Sequence, residues 1–265
     1  MRGLHVYSLY SGSKGNAFLI DAPQGKILID AGKNAKKLCL ALKEIGVDPN
    51  DITAIFLTHE HSDHISALPV FLKKHPIPVH LPNGCLYRLE NHPSVQPHLQ
   101  PHPPIYTMDV NGIRVTAFPT PHDSHASTGY RIEIDTEDGR CFRVGYATDI
   151  GYVSKEIEQA LTGCDAVILE SNHDLDMLHV GPYPYELKQR IASRRGHLSN
   201  NDSAAFAARL CAGGTKSLML AHLSQENNTP DTAFDACVSA VGDSTVHICV
   251  ADPEFVTELY TEDVI

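Results

Sequence analysis

The sequence predicts an α/β protein built as a four-layer sandwich, two β-sheets face to face with helices covering both. Three observations lead there. The first part of the chain is a run of short β-rich segments, whereas the second alternates strands with helices. No repeat or linker divides the 265 residues, so 1–265 reads as one domain. A hydrophobic content of 42% against 20% charged residues suffices for a large core and excludes wholesale disorder.

The elements follow in order. Strands are expected at Leu4–Leu9, Ala17–Asp21 and Lys26–Asp30, separated by the turn formers S-G-S-K-G-N and A-P-Q-G. Lys33–Ile45 places Leu38, Leu42 and Ile45 at helical spacing and stops at Gly46. Ile52–Leu57 is a continuous apolar strand. Ile65–Lys74 and Gly84–Glu90 read as helices around a short strand, Ile77–His80. The proline- and histidine-rich stretch 91–104 reads as a surface loop. Strands resume at Ile113–Phe118, Tyr130–Asp135 and Cys141–Ala147, the last two joined by the turn T-E-D-G. Helices at Val153–Leu161, Pro184–Ser193, Asp202–Cys211 and Asp231–Ala240 then alternate with strands at Ala166–Glu170, Ser217–Ala221 and Val246–Val250.

Composition narrows the function. No apolar run approaches the ~18 residues of a membrane span, and the N-terminal residues M-R-G-L-H-V-Y-S-L-Y-S-G lack the apolar core of a secretory signal. Seven cysteines with no C-x-x-C argue against a zinc ribbon or a dithiol redox site. Scattered in apolar contexts, they read as reduced residues of a cytoplasmic protein. The net charge of −11 is the wrong sign for coating nucleic acid. It leaves room for a nuclease, since two divalent ions alone bring −11 to −7. What stands out is histidine, at sixteen.

Directly after the strand Ile52–Leu57 comes T-H-E-H-S-D-H. Alternate residues of an extended loop point the same way, so His59 and His61 can grip one ion together, leaving Asp63 and His64 for a second. Four such side chains in six residues repel one another and lose hydration unless something positive sits between them. His122, Asp149 and His222 each follow another expected strand, and sites of open sheets gather at one rim. His125, in P-H-D-S-H, rivals His122.

These motifs resemble those of the metallo-β-lactamase superfamily, in order and in spacing, over about residues 1–225. The resemblance implies an αββα sandwich of two mixed sheets, with pseudo-repeat halves of roughly 1–125 and 126–265. It implies that His59, His61 and His122 hold one metal, that Asp63, His64 and His222 hold the other, and that Asp149 bridges both. Two divalent ions per chain are expected, Zn²⁺ or Mn²⁺.

S-G-S-K-G-N, I-L-E-S-N-H-D, R-R-G-H-L-S-N-N-D-S-A-A and A-H-L-S-Q-E-N-N are similar to the tRNase Z and phosphodiesterase branches, and most to the YycJ/WalJ-like group. That group implies a double-stranded DNA 5′–3′ exonuclease with a part in DNA repair. The chain has no room for the long insertion of the RNase J type. His197, opening a helix outside the ligand set, is the candidate proton donor, with Glu170 as its acidic partner and Asp63 orienting the attacking water or accepting its proton. The turn S-G-S-K-G-N, with Ser11, Ser13 and Asn16, could present backbone N–H groups to a phosphate. Arg194 and Arg195 end a basic strip, begun by Lys188 and Arg190, that could guide one. His75, His80, His92, His98 and His102 read as ordinary loop or surface residues, and His173 and Asp174 stay unassigned. A small-molecule hydrolase of the same fold, acting on a cyclic phosphodiester, thioester or lactam, is the rival reading. A non-catalytic metal or redox protein is a third.

Overall fold

Two seven-stranded sheets lie face to face in the computed structural model, which describes residues 3–136 and 139–259. Glu137 and Asp138 of the expected T-E-D-G turn lie outside the described residues. The first sheet is built from β1 (His5–Tyr10), β2 (Ala17–Ala22), β3 (Gly25–Ile29), β4 (Ile52–Phe56), β5 (Val79–Pro82) and β6 (Leu99–His102) in chain order. It is completed by β14 (Thr257–Leu259), which pairs antiparallel with β1. The second runs from β7 (Tyr106–Val110) through β8 (Ile113–Pro119), β9 (Thr128–Asp135), β10 (Cys141–Ala147), β11 (Ala166–Glu170) and β12 (Ser217–Ala221) to β13 (His247–Val250).

Period-two alternation makes the layers. In β3, Ile27 and Ile29 face the second sheet, where they meet Val144, Tyr146 and Ile168. Leu28 between them faces the outer helices α1 (Ala35–Glu44) and α3 (Leu68–Phe71), against Leu38, Leu42 and Phe71. Both faces of the strand are buried, so it reads as an unbroken apolar run. On the far side α5 (Lys155–Leu161), α8 (Asn200–Ala212) and α9 (Pro230–Val241) cover the second sheet with Ile157, Leu161, Phe206, Leu210, Ala233 and Cys237. Side-chain oxygens of Asn34, Ser154, Ser199 and Thr229 cap α1, α5, α8 and α9.

Several expectations need correction. Residues 91–104 are not all loop, because Leu99–His102 pairs parallel with β5 as the sheet's edge. Proline is tolerated there, since an edge residue need not donate to a neighbour. The expected helix Ile65–Lys74 is two single turns, α2 (Ser62–Ile65) and α3; Pro69, without an N–H, cannot bond back to the preceding turn. Gly84–Glu90 shortens to α4 (Leu86–Leu89). Strands β7 and β14 and the short helix α6 (Leu175–Val180) were not expected; α7 (Tyr185–Ile191) was. His80 is buried, stacked on Phe56 and bonded to His102 at 2.9 Å, so neither is an ordinary surface histidine.

Strand direction sets the position of the site. β3, β4 and β5 are parallel, as are β10, β11 and β12. β8 and β10 both run antiparallel to β9, so β8 ends at the same rim as β10. Thr128 N–H donates to Thr58 O at 3.0 Å and closes the two sheets together there.

Candidate metal centre

The rim gathers the expected side chains. His59 and His61 leave β4 on an extended backbone with ring centroids 4.5 Å apart, and the His122 ring lies 5.0 and 5.1 Å from them. One nitrogen of each comes within 4.8 Å of the others. Asp63, His64 and His222 form a second such group. Asp149 lies between the two: its oxygens stand 3.4 Å from His64 Nε2, 3.5 Å from His222 Nε2 and 3.7 Å from His122 Nε2.

The donors fit divalent cations. His59 Nε2, His222 Nε2 and Asp149 Oδ2 are buried without a hydrogen-bond partner among the described residues, a costly state for polar atoms unless an ion engages them. Burial first, then the neighbouring imidazoles of His64, His122 and His61, push His59 far below its usual value and keep it neutral, the ligating form. Burial opposes ionisation of Asp63 and Asp149, but the surrounding imidazoles of His64 and His222 overcome it and hold both carboxyls low. The same carboxylates, against burial, pull His222 up to about 10 and His64 well above its ordinary range. The centre demands positive charge, supplied by protons or by metal ions.

Outer contacts aim the inner ones. Asp30, at the end of β3, was not singled out from the sequence. Fully buried, it holds His64 Nδ1 at 2.7 Å and accepts from Thr58 N–H and Oγ1 at 2.8 Å each. Only its position at a strand end, like that of the ligands, could have signalled it. Glu170 does more than expected. One oxygen lies 2.8 Å from His197 Nδ1 and 3.0 Å from His222 Nδ1, while the other accepts from the N–H groups of Ile150 and Leu198. Against burial, the charges and hydrogen bonds of these histidines keep its carboxyl low, and the Glu170 carboxylate raises His197. Asp30, Asp149 and His222 all sit at positive φ, 60°, 56° and 56°, and strain of this kind collects at functional sites.

Other candidates fall elsewhere. Ser11 and Asn16 are internal struts in place of phosphate contacts: both are buried, and their backbone N–H groups are spent on Asp252 O at 3.1 Å and Asp63 O at 2.8 Å. Ser11 Oγ accepts from His222 N–H at 2.9 Å, and Asn16 Oδ1 from Gly12 N–H at 2.9 Å. A Cβ on Gly32 would stand 1.8 Å from that same Asp63 O, so only glycine fits there. Ser13 does line a cleft of about 170 Å³ beside the cluster, together with Asp123, Asn172, Tyr183, Arg190 and His197. Arg195 spends its guanidinium on the carbonyls of His122 and Ser124, fixing the His122 loop, and Arg194 stacks on Tyr152 at 3.8 Å. Of the two rivals, His122 joins the cluster, whereas His125 turns to Glu60. Asp174 caps α6, and His173 is buried beneath the rim.

Comparison with known proteins agrees with this geometry. A family model described as a beta-lactamase superfamily domain matches residues 25–223. The chain is 35% identical over 254 residues to a Streptococcus pneumoniae protein named exodeoxyribonuclease WalJ, covering 94% of this chain and 92% of that one. It is 34% identical over 235 residues to a Bacillus anthracis protein named exodeoxyribonuclease YycJ, covering 87% and 86%. Its fold superposes on the crystal structure of the metallo-beta-lactamase fold protein YhfI from Bacillus subtilis with a TM-score of 0.74 at 18% identity, covering 97% of this chain and all of that one.

Proposed function

The chain belongs to the metallo-β-lactamase superfamily, and within it we propose a metal-dependent DNA exonuclease, digesting duplex DNA from the 5′ end in the cytoplasm. One observation carries this reading beyond the relatives' names. His197, pinned by Glu170 at 2.8 Å, has its ring 5.2 Å from those of His122 and His222, one from each proposed ligand group, with Asp149 lying between the groups. A His197 nitrogen also comes within 4.8 Å of Asp149 and His222, and its bond to Glu170 is what assigns it to acid catalysis.

His59, His61 and His122 would hold one divalent ion, and Asp63, His64 and His222 the other, with Asp149 serving both. The nitrogen-rich set suits zinc and its carboxylates also suit manganese. Bound ions would lower the pKa of water towards neutrality and offset the negative charge of a phosphodiester. Asp63, partly open to solvent, orients the attacking water. His197 presents Nε2 to the departing oxygen, because Glu170 already occupies Nδ1 at 2.8 Å. The same carboxylate holds His222 Nδ1, so the acid and one ligand are positioned by a single buried group. No helix among the described residues is long and apolar enough to cross a membrane.

The test is direct: metal-loaded protein is incubated with 5′- and 3′-labelled duplex DNA, single-stranded DNA and RNA in parallel. Stepwise loss from the 5′ end of the duplex is expected. Intact DNA alongside turnover of a cyclic phosphodiester, thioester or lactam would move the assignment to a small-molecule hydrolase.

A further inference from the structure

Glu60 stands between His59 and His61 and, in an extended run, points the opposite way. It is 3% exposed, and four donors converge on its carboxylate. His125 offers its backbone N–H at 2.9 Å and ring Nδ1 at 3.2 Å, the Tyr87 hydroxyl lies at 3.4 Å, and the Cys85 thiol at 3.3 Å. A buried carboxylate is tolerated only when bonded in this way. Its two outward partners are nonetheless open: Tyr87 is 49% exposed and the His125 side chain 65%. Their rings meet at 4.4 Å and 49°. The result is an aromatic surface at the rim, anchored from below, one residue from two proposed ligands and three from His122. The metal chemistry does not use it.

We propose that Tyr87 and His125 form a stacking platform for a nucleobase of the DNA, with Glu60 as the positioning residue beneath them; the proposal rests on the nuclease reading above. An exonuclease must hold every sequence alike, and each base offers a π face that an aromatic ring accepts without reading its edge. At a net charge of −11, electrostatic attraction to the backbone is weak, so part of the affinity must come from contacts of another kind. Arg88, exposed beside Tyr87, places a cation next to the platform for the adjoining phosphate.

A phosphorothioate oligonucleotide carrying 2-aminopurine in its terminal nucleotides reports on stacking by fluorescence quenching and on affinity by titration. Wild-type protein should quench it. Tyr87→Ala and His125→Ala should relieve the quenching and weaken binding about 5- to 150-fold, the range one base–aromatic stack is worth. Tyr87→Phe, which keeps the ring and loses only the hydroxyl, should bind as wild type, and metal content should be unchanged in all three. Alanine variants that bind and quench like wild type overturn the platform alone. So does a Tyr87→Phe variant as weak as Tyr87→Ala, or loss of metal, which would make the pair scaffold. If wild-type protein binds no oligonucleotide, the nuclease reading falls and the platform with it.

Discussion

At the residue scale, His197 and Asp149 are the two positions whose roles separate most cleanly. His197 contacts Glu170 at 2.8 Å and stands farther, 3.7 Å, from Asp149. His197→Ala should therefore fold and keep its metals, yet lose on the order of 10²–10⁴ in kcat on a substrate with a poor alkoxide leaving group. The loss should shrink for p-nitrophenolate, which departs without a proton. Equal slowing of both substrates would place this histidine in the scaffold or the ligand shell. Asp149 faces both ligand groups, whereas His122 faces one. Elemental analysis should find close to two transition-metal equivalents in wild-type protein, a sharp fall in Asp149→Asn, and a loss of about one in His122→Ala. Asn is chosen because it tolerates the φ of 56° that alanine would strain. Metal retained in full by Asp149→Asn would contradict a bridging carboxylate.

At the scale of elements, the edge of the first sheet carries its own pH dependence. His80 on β5 is held down to about 4, by burial first and by the facing His102 second. The unfolded chain, with an ordinary histidine value of about 6.5, takes up a proton that the folded state refuses. Unfolding thus binds protons between these values, and stability falls as pH drops from 6.5 towards 4. The loss from this group between pH 7.5 and pH 5 should be about 2 kcal/mol. Urea titrations of wild type and His80→Leu at both pH values isolate it, because the other histidines are common to both. Equal losses in the two proteins would remove His80 as the cause. The strands and long helices were legible from apolar periodicity, since β3, β4, β11 and β12 are buried on both faces. The edge strand β6 and the three-residue β14 were not. Each is defined by the neighbour it pairs with, and neither carries a pattern of its own.

At the scale of the whole molecule, a single rim serves chemistry drawn from both sheets, and substrate preference belongs to that assembly. Activity on bis(p-nitrophenyl) phosphate should exceed activity on nitrocefin by orders of magnitude. Because p-nitrophenolate departs without a proton, this preference would come not from His197 but from bound divalent ions offsetting the negative charge of a phosphodiester. Comparable turnover of the two would favour the small-molecule alternative.

The sequence by itself determined the α/β layering, and it singled out the candidate ligand run His59–His64 and the further ligand candidates at strand ends. All of these are local: a residue type, its period and its place relative to a strand. Only the tertiary structure decided that His122 enters the cluster while His125, three residues on, turns to Glu60. It also decided that Asp30 backs His64, that Glu170 holds two histidines at once, and that Ser11 and Asn16 are internal struts. Those assignments rest on contacts such as Ser11 with His222, made by residues more than two hundred positions apart. Such a contact exists only once both sheets have closed on each other, and no local pattern records which partner a buried polar atom then finds.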